Sequence, residues 1–196
     1  MYICSIDIET TGLRPESCDI IEFGAVLDSC DPVTPIDSLP VFHAYILPAT
    51  DNIYRGEPYA LSMHPTIFKR IAKKESGYNY LIPDALPFEF AQWLSGVLPK
   101  QNKHLTLAGK NVGSFDIQFL KRLNGWNDLK LSHRYMDVGP LFFDPHKDDV
   151  IPDLKTCLER CNLPSNITHN AVDDAKQVLQ VLRHYYELPD TLIGKI

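Results

Sequence analysis

Two carboxylates stand close together near the start of the chain, in a segment that is otherwise apolar. The segment SIDIETTG covers residues 5–12 and places Asp7 and Glu9 two positions apart. Side chains two positions apart in a β-strand point to the same face, so the two acids would lie side by side while Ile6 and Ile8 point into the core. Neighbouring carboxylates repel each other, and their pKa values rise unless a cation neutralises them. A bound divalent metal ion is the simplest chemistry that this pair indicates.

Further acids fall on the apolar faces of two predicted helices. In GSFDIQFLKRL, Asp116 shares a helical face with Phe119 and Leu120. In HNAVDDAKQVLQVL, Asp174 is in register with apolar residues, whereas the adjacent Asp173 is in register with polar ones. We therefore expect Asp116 and Asp174 to point inward and Asp173 to face solvent. Hard divalent cations prefer carboxylate ligands, so one metal site can use all four inward acids.

A histidine precedes the second of these helices. His169 lies just before the predicted helix start, where Asn170 or Thr168 can cap the helix, so its imidazole can reach the same cleft. With an ordinary pKa of about 6.5, histidine is suited to take a proton from water near neutral pH. Four inward acids and one histidine together predict a metal-dependent site.

The elements that must position these residues follow an alternating pattern. Three strand-like segments open the chain and predict an antiparallel meander: MYICSIDIE, IIEFGAVLDSC and PVFHAYILP. Four helical segments then alternate with two strand segments, HLTLAGKN and HRYMDVGPLF. The helical segments are PFEFAQWLSGVL, GSFDIQFLKRLN, DLKTCLERCNL and NAVDDAKQVLQVLRHYYEL. This order predicts an α/β fold with a mixed β-sheet, a three-strand meander plus further parallel strands, flanked by helices.

The domain organisation follows from length and composition. The 196 residues, 44% of them hydrophobic, suffice for one sizeable core, so we expect residues 1–196 to form a single domain. The stretch at about 49–87 is rich in Pro, Tyr and Gly and contains one helical segment, HPTIFKRIAKK. Its many aromatic residues argue against a linker, so we interpret it as an elaboration on the domain.

Composition also limits the compartment and the partners. No apolar run approaches the roughly 20 residues of a membrane span, and the first residues lack a signal-peptide pattern. Five irregularly spaced cysteines argue against a disulfide framework, so we expect a soluble, cytoplasmic protein without a membrane partner. The net charge of −6 argues against non-specific coating of nucleic acid. It is compatible with an enzyme that holds nucleic acid through metal ions.

Three short motifs resemble those of a known family. D-I-E-T-T-G, N-V-G-S-F-D and H-N-A-V-D-D-A occur in the order and approximate spacing of the motifs of the DEDDh, or DnaQ-like, 3′→5′ exonucleases. The resemblance implies an RNase H-like fold in which four acids bind two divalent metal ions, Mg²⁺ or Mn²⁺, with His169 as the general base. The metal ligands that it implies are Asp7, Glu9, Asp116 and Asp174. The contacts with the terminal nucleotide that it implies come from Thr10, Thr11, Gly12 and Leu13.

The same resemblance implies a reaction. It is hydrolysis of phosphodiester bonds from the 3′ end of single-stranded or short DNA or RNA, with release of nucleoside 5′-monophosphates. Two alternatives stay open: a catalytically idle nucleic-acid-binding or scaffolding subunit, and a phosphodiesterase for di- or cyclic nucleotides. The subfamily is unresolved, because A-L-S-M-H resembles the oligoribonucleases and S-F-D-I-Q-F the proofreading and repair members.

The sequence is less specific about other contacts. Several side chains of the elaboration are equally consistent with a nucleic-acid channel and with packing: Tyr54, Arg55, Tyr59, His64, Lys69 and Arg70. The chain allows a homodimer, and it allows a polymerase partner without indicating one.

Overall fold

A single mixed β-sheet organises the chain. The computed structural model describes residues 2–31, 33–50, 52–100 and 105–187. The strands in these ranges are β1 (Ile3–Thr10), β2 (Ile20–Asp28), β3 (Val41–Ile46), β4 (Tyr80–Leu81), β5 (Leu105–Gly109) and β6 (Leu131–Asp137). Their spatial order is β4-β3-β2-β1-β5-β6. The first three strands pair antiparallel, whereas β5 pairs parallel with β1, β6 with β5 and β4 with β3. The predicted α/β fold with a meander and further parallel strands is confirmed.

Helices cover both faces of this sheet. They are α1 (Pro58–Met63), α2 (Pro65–Lys73), α3 (Leu86–Val97), α4 (Asp116–Leu120), α5 (Val138–Leu141), α6 (Leu154–Arg160) and α7 (Ala171–Glu187). Short 3₁₀ helices lie at Ile36–Ser38, Pro83–Ala85 and Trp126–Asp128. Helices α3 and α4 share one hydrophobic core with the sheet, and α5, α6 and α7 share a second core on the opposite face. In the described part of the chain, none of these helices has the length and hydropathy for a membrane crossing.

Strand β1 separates the two cores. Ile6 and Ile8 lie in the core under α3 and α4, whereas Ile3 lies in the core under α7. Because side chains alternate along a strand, the acids at positions 7 and 9 point to the α7 side. The pairing of β1 with β2 shifts register between Glu9 and Thr10, which is a β-bulge. Such bulges redirect side chains and are common beside active sites.

Some elements differ from the prediction. The sequence predicted a helix over residues 113–124, but α4 is confined to 116–120. Before it, the N–H groups of Ser114 and Phe115 bond to Asn111 in a turn, and after it the chain tightens into i to i+3 bonds. Helices α1 and α5 and strand β4 were not predicted, because elements of six residues or fewer show little hydrophobic periodicity.

The predicted elaboration, at about residues 49–87, contains α1, α2, β4 and the start of α3. Helix α2 buries Ile67 and Ile71 against the sheet in a third hydrophobic core. The segment is also fixed to the end of β1, because the Glu57 N–H donates to the Thr11 carbonyl at 2.7 Å. The elaboration therefore packs beside the strand that carries the two acids. The organisation of residues 1–196 as one domain stays a prediction.

Candidate metal centre

The two acids of β1 lie side by side facing α7. Asp7 is half-buried and Glu9 is buried. Burial and then the nearby carboxylates raise the pKa of Asp7 well above its ordinary value. Burial, followed by repulsion from other carboxylates, raises the pKa of Glu9 to about 8. The carboxylates that repel both groups are Glu22, Asp116 and Asp174. The pair is therefore costly to ionise without a cation.

Asp116 reaches β1 from the first position of α4. It is buried, and its Oδ1 accepts a hydrogen bond from the backbone N–H of Ile8 at 3.1 Å. Burial raises its pKa to about 8, although backbone hydrogen bonds to the carboxylate oppose this rise. Because Ile8 stands between Asp7 and Glu9, this bond fixes the Asp116 carboxylate beside that pair.

Asp174 and Asp173, in the first turn of α7, differ in burial. Asp174 is buried and Asp173 is exposed, which is the arrangement that helical register predicts. Burial raises the pKa of Asp174 to about 6, and His169 opposes the rise. Among the described residues, Asp174 Oδ1 is buried with no hydrogen-bond partner. An unpartnered buried carboxylate oxygen is unfavourable, so a ligand at this oxygen would stabilise the site.

Three groups converge at the point where β1 meets α7. One ligand atom each from Glu9, Asp174 and His169 lies within 4.8 Å of the other two. His169 is exposed and has φ of 51°, in the left-handed region that non-glycine residues seldom adopt outside turns and functional sites. Asp7 and Asp116 lie outside this group of three. This spacing places the His169 imidazole beside two carboxylates that could bind a cation.

A fifth buried carboxylate was not predicted from the sequence. Glu22 on β2 pairs with Glu9 across the sheet and is fully buried. Its carboxylate lies 2.6 Å from His43 Nε2 and accepts bonds from Asn170 Nδ2 at 3.2 Å and the Ala171 N–H at 3.3 Å. A single acid inside the apolar run IIEFGAVL shows no pattern of its own. The only available signal was strand alternation, which places Glu22 on the same face of β2 as Gly24 and Val26, facing α7.

His64 is a second residue whose position the sequence left open. It is buried at the junction of α1 and α2, and its Nε2 lies 3.5 Å from Glu9 Oε2. Burial and the nearby His169 lower the pKa of His64. A neutral imidazole at this position cannot neutralise Glu9, so His64 does not replace a metal ion.

The charge balance of the site favours a cation. Within the described ranges, the ion pairs of the five clustered carboxylates are made only with His43 and His64, and no lysine or arginine pairs with them. The clustered carboxylates are Asp7, Glu9, Glu22, Asp116 and Asp174. Clustered acids without a lysine or arginine partner among the described residues, one of them with an unpartnered oxygen, fit a divalent metal ion.

The turn after β1 is held together by Thr11. Its N–H donates to the Asp19 carbonyl at 2.9 Å, and its carbonyl accepts from Glu57. Its hydroxyl accepts from the Asp19 N–H at 2.8 Å and donates to the Arg55 carbonyl. These bonds give Thr11 a structural role in the turn.

Of the other three expected contact residues, Thr10 and Gly12 are buried and Leu13 is exposed. The Thr10 hydroxyl donates to the Gly12 carbonyl at 2.8 Å. A Cβ at Gly12 would lie 2.6 Å from Cys18 Sγ, so only glycine fits there. Leu13 follows with 73% of its surface exposed. An exposed leucine beside the metal centre offers an apolar surface for a ligand.

Solved structures resemble this fold, although a scan of protein-family models and a search of curated proteins find no match to the sequence. Escherichia coli exonuclease I in complex with an oligonucleotide is 17% identical, with a TM-score of 0.65, covering 98% of this chain and 42% of that one. The nuclease domain of 3'hExo, a DEDDh family member bound to rAMP, is 19% identical, with a TM-score of 0.65, covering 95% and 92%. Schizosaccharomyces pombe Pop2p in its Mg²⁺- and Mn²⁺-bound form is 14% identical, with a TM-score of 0.61, covering 99% and 85%.

At these identities the similarity is one of fold. The chain spans less than half of the exonuclease I chain and most of the other two. The three motifs predicted an RNase H-like sheet, and the strand order and these neighbours confirm it. The chain therefore has the RNase H-like fold of these nucleases, among them a member of the DEDDh family that its motifs resemble.

Proposed function

We propose that the protein is a metal-dependent 3′→5′ exonuclease of the DEDDh superfamily. It would hydrolyse phosphodiester bonds at the 3′ end of single-stranded or short nucleic acid and release nucleoside 5′-monophosphates. The observation that carries the proposal is the convergence of Glu9, Asp174 and His169 where β1 meets α7. The fold supports it, because the similar structures include nucleases described with an oligonucleotide and with a nucleotide.

The acids would hold the metal ions. The proposed ligands of two divalent ions, Mg²⁺ or Mn²⁺, are Asp7, Glu9, Asp116 and Asp174. When bound, such ions lower the pKa of a coordinated water and stabilise the charge on the scissile phosphate and the leaving oxygen. Asp174 Oδ1, buried without a hydrogen-bond partner among the described residues, is an oxygen ready for this role.

His169 would act as the general base. Its ring is exposed on the loop before α7, so an imidazole nitrogen can accept a proton from the attacking water. Glu9 and Asp174, two of the proposed metal ligands, lie within 4.8 Å of it, so the ring would stand beside a metal-bound water. The loop position lets the ring reach the water while Asp174 stays fixed in the helix.

The turn after β1 would hold the terminal nucleotide. Gly12 lets the turn pack closely against Cys18, which would fix the backbone that supports the nucleotide. The exposed Leu13 would pack against the face of the terminal base. Thr10 would contribute from the end of β1, and Thr11 would act only by holding the turn in shape.

The test is an exonuclease assay with a matched pair of variants. A 5′-labelled oligonucleotide should shorten from its 3′ end when Mg²⁺ or Mn²⁺ is present and stay intact with EDTA. Asp174→Asn should lower kcat by about 100-fold or more, while Asp173→Asn on the exposed side should keep it. No mononucleotide release with either metal, or equal activity of Asp174→Asn, would exclude the proposal.

The same assay separates the open alternatives. Binding of Mn²⁺ in calorimetry without any hydrolysis would favour the idle binding subunit. Matched RNA and DNA oligomers, together with linear and cyclic dinucleotides, would identify the substrate class. The homodimer and the cytoplasmic location stay predictions.

A further inference from the structure

We propose that Glu22 is a positioning residue for the catalytic machinery, fixing the N-terminal end of α7 and thereby the places of His169 and Asp174. The inference rests on the proposed function, because its consequence is measured as nuclease activity. Glu22 makes no direct hydrogen bond to His169 or Asp174. The effect passes through Asn170 and Ala171, which join the two catalytic positions along the chain.

Glu22 is held in a way that requires its charge and shape. It is fully buried on β2, where an isolated carboxylate would be strongly unfavourable. Three donors offset that cost: His43 Nε2, Asn170 Nδ2 and the Ala171 N–H. The first N–H groups of a helix have no partner within the helix and form its positive end, which favours a carboxylate there. Glu22 thus supplies the acceptor that the start of the 17-residue α7 lacks.

Asn170 connects this anchor to both catalytic residues. While its Nδ2 donates to Glu22, its Oδ1 accepts the Asp173 N–H at 3.1 Å and caps α7. Its carbonyl accepts the Asp174 N–H at 2.9 Å. His169 is the residue immediately before it. Fixing Asn170 therefore fixes the loop that carries the imidazole and the first turn that carries the metal-binding acid.

The sheet is shaped to receive this helix end. A Cβ at Gly24 would lie 2.4 Å from the Ala171 carbonyl carbon, so a side chain at that position would push α7 away. Gly24 is two positions from Glu22 and faces the same side of β2. Direct contact at Gly24 sets the distance between helix and sheet, and the Glu22 hydrogen bonds set the orientation of the helix end.

His43 completes the anchor from β3. Its ring lies edge-on to Tyr45 at 4.8 Å and to Tyr78 at 5.9 Å between ring centroids. The Tyr45 hydroxyl accepts from Arg70 Nη1 at 2.6 Å, so the aromatic group is itself tied to α2. These contacts restrict the imidazole to an orientation in which Nε2 meets Glu22.

A second buried acid on the same strand provides a matched control. Asp28, at the other end of β2, is buried and accepts two hydrogen bonds of 2.8 Å from Arg183 of α7. It joins the same strand to the same helix, about three turns from the start of α7. Asp28→Asn should weaken the fold without moving His169 or Asp174.

The experiment compares Glu22→Gln with Asp28→Asn under saturating Mn²⁺. We expect Glu22→Gln to lower kcat by about 10 to 100-fold while KM for a single-stranded oligonucleotide changes little. We also expect faster hydrogen exchange at the Ala171 amide, which loses its carboxylate acceptor. Asp28→Asn should keep kcat per folded molecule and the Ala171 exchange rate.

Several results would overturn the inference. One is a Glu22→Gln variant whose kcat and Ala171 exchange rate equal those of the wild type. Another is a loss of kcat in Asp28→Asn as large as that in Glu22→Gln, at the same folded fraction. If Glu22→Gln does not fold, Asn170→Ser removes the donor to Glu22 but keeps an oxygen for the helix cap, and the same two measurements decide. An inactive wild type would count against the proposed function, whereas exchange at Ala171 would still show whether Glu22 anchors α7.

Discussion

Removing one charge from the cluster should stabilise the metal-free protein and abolish its stabilisation by metal. The perturbation is Glu9→Gln, which keeps the size and shape of the side chain. Glu9 is buried, and its pKa is raised to about 8 from an ordinary value of 4.5. The folded protein therefore retains this proton to a higher pH than the unfolded chain. The free energy of unfolding must fall as the pH rises from about 4.5 towards 8.

The magnitude follows from that difference in pKa. One pKa unit corresponds to about 1.4 kcal/mol, so at pH 7 the wild-type side chain costs the folded state up to about 3 kcal/mol. At pH 5 the same cost is only about 1 kcal/mol. Glutamine carries no proton and avoids both costs. Metal-free Glu9→Gln should therefore exceed the wild type in free energy of unfolding, and by more at pH 7 than at pH 5.

Divalent metal should reverse this order. A ligand that binds only the folded state stabilises it by about 2.7 kcal/mol at 100 times its Kd. The wild type should gain such an increment from Mn²⁺, and Glu9→Gln should gain much less because it has lost one carboxylate of the Glu9, Asp174 and His169 triad.

Urea unfolding at pH 5 and pH 7, with EDTA or with Mn²⁺, measures both effects. Asp173→Asn is the control, since Asp173 is exposed beside the cluster and its replacement should change stability by less than about 0.5 kcal/mol. A metal-free wild type as stable as Glu9→Gln at pH 7 would refute the argument from burial and repulsion. Equal stabilisation of both proteins by Mn²⁺ would refute Glu9 as a ligand.

Three further predictions concern the backbone and the turn that shape the site. Gly24→Ala places a Cβ against Ala171, so it should lower both kcat and the melting temperature. Its control is Gly96→Ala in α3, where a Cβ meets nothing within 4 Å, and thermal melts should show a stabilisation of up to about 1 kcal/mol. Leu13→Ala should raise KM in the exonuclease assay and leave urea stability unchanged, because the side chain is 73% exposed; a loss of stability would contradict its assignment to the ligand surface. Thr11→Val removes a buried hydroxyl that holds the turn, so urea unfolding should show a loss of about 1 to 3 kcal/mol.

The sequence was informative wherever the signal lay within one element. Alternation along β1 correctly put the acids on the face opposite Ile6 and Ile8. Helical register correctly separated the buried Asp174 from the exposed Asp173. Both inferences need only the period of a strand or a helix, which the chain carries locally.

The sequence was uninformative where the partners come from distant parts of the chain. Glu22 receives its hydrogen bonds from residues that are 21, 148 and 149 positions away, so no local pattern marks it. His64 similarly meets Glu9 only after the elaboration folds back onto the end of β1. Thr11 was expected to contact a nucleotide, and its bonds to Asp19 and Arg55 could not be anticipated from its position in a motif.

The clustered carboxylates are therefore of two kinds, although removal from water makes each of them costly to ionise. Glu22 has three donors from the protein, including the start of a helix, and needs no external cation. Asp174 retains an oxygen with no partner among the described residues. Glu9 has a raised pKa, and no lysine or arginine of the described residues pairs with it. The fold therefore provides hydrogen-bond donors for Glu22, the acid that orients α7. It provides fewer for Asp174 of α7 and Glu9 of β1, which face each other. This difference, more than the number of acids, is the reason for placing the proposed metal ion between β1 and α7.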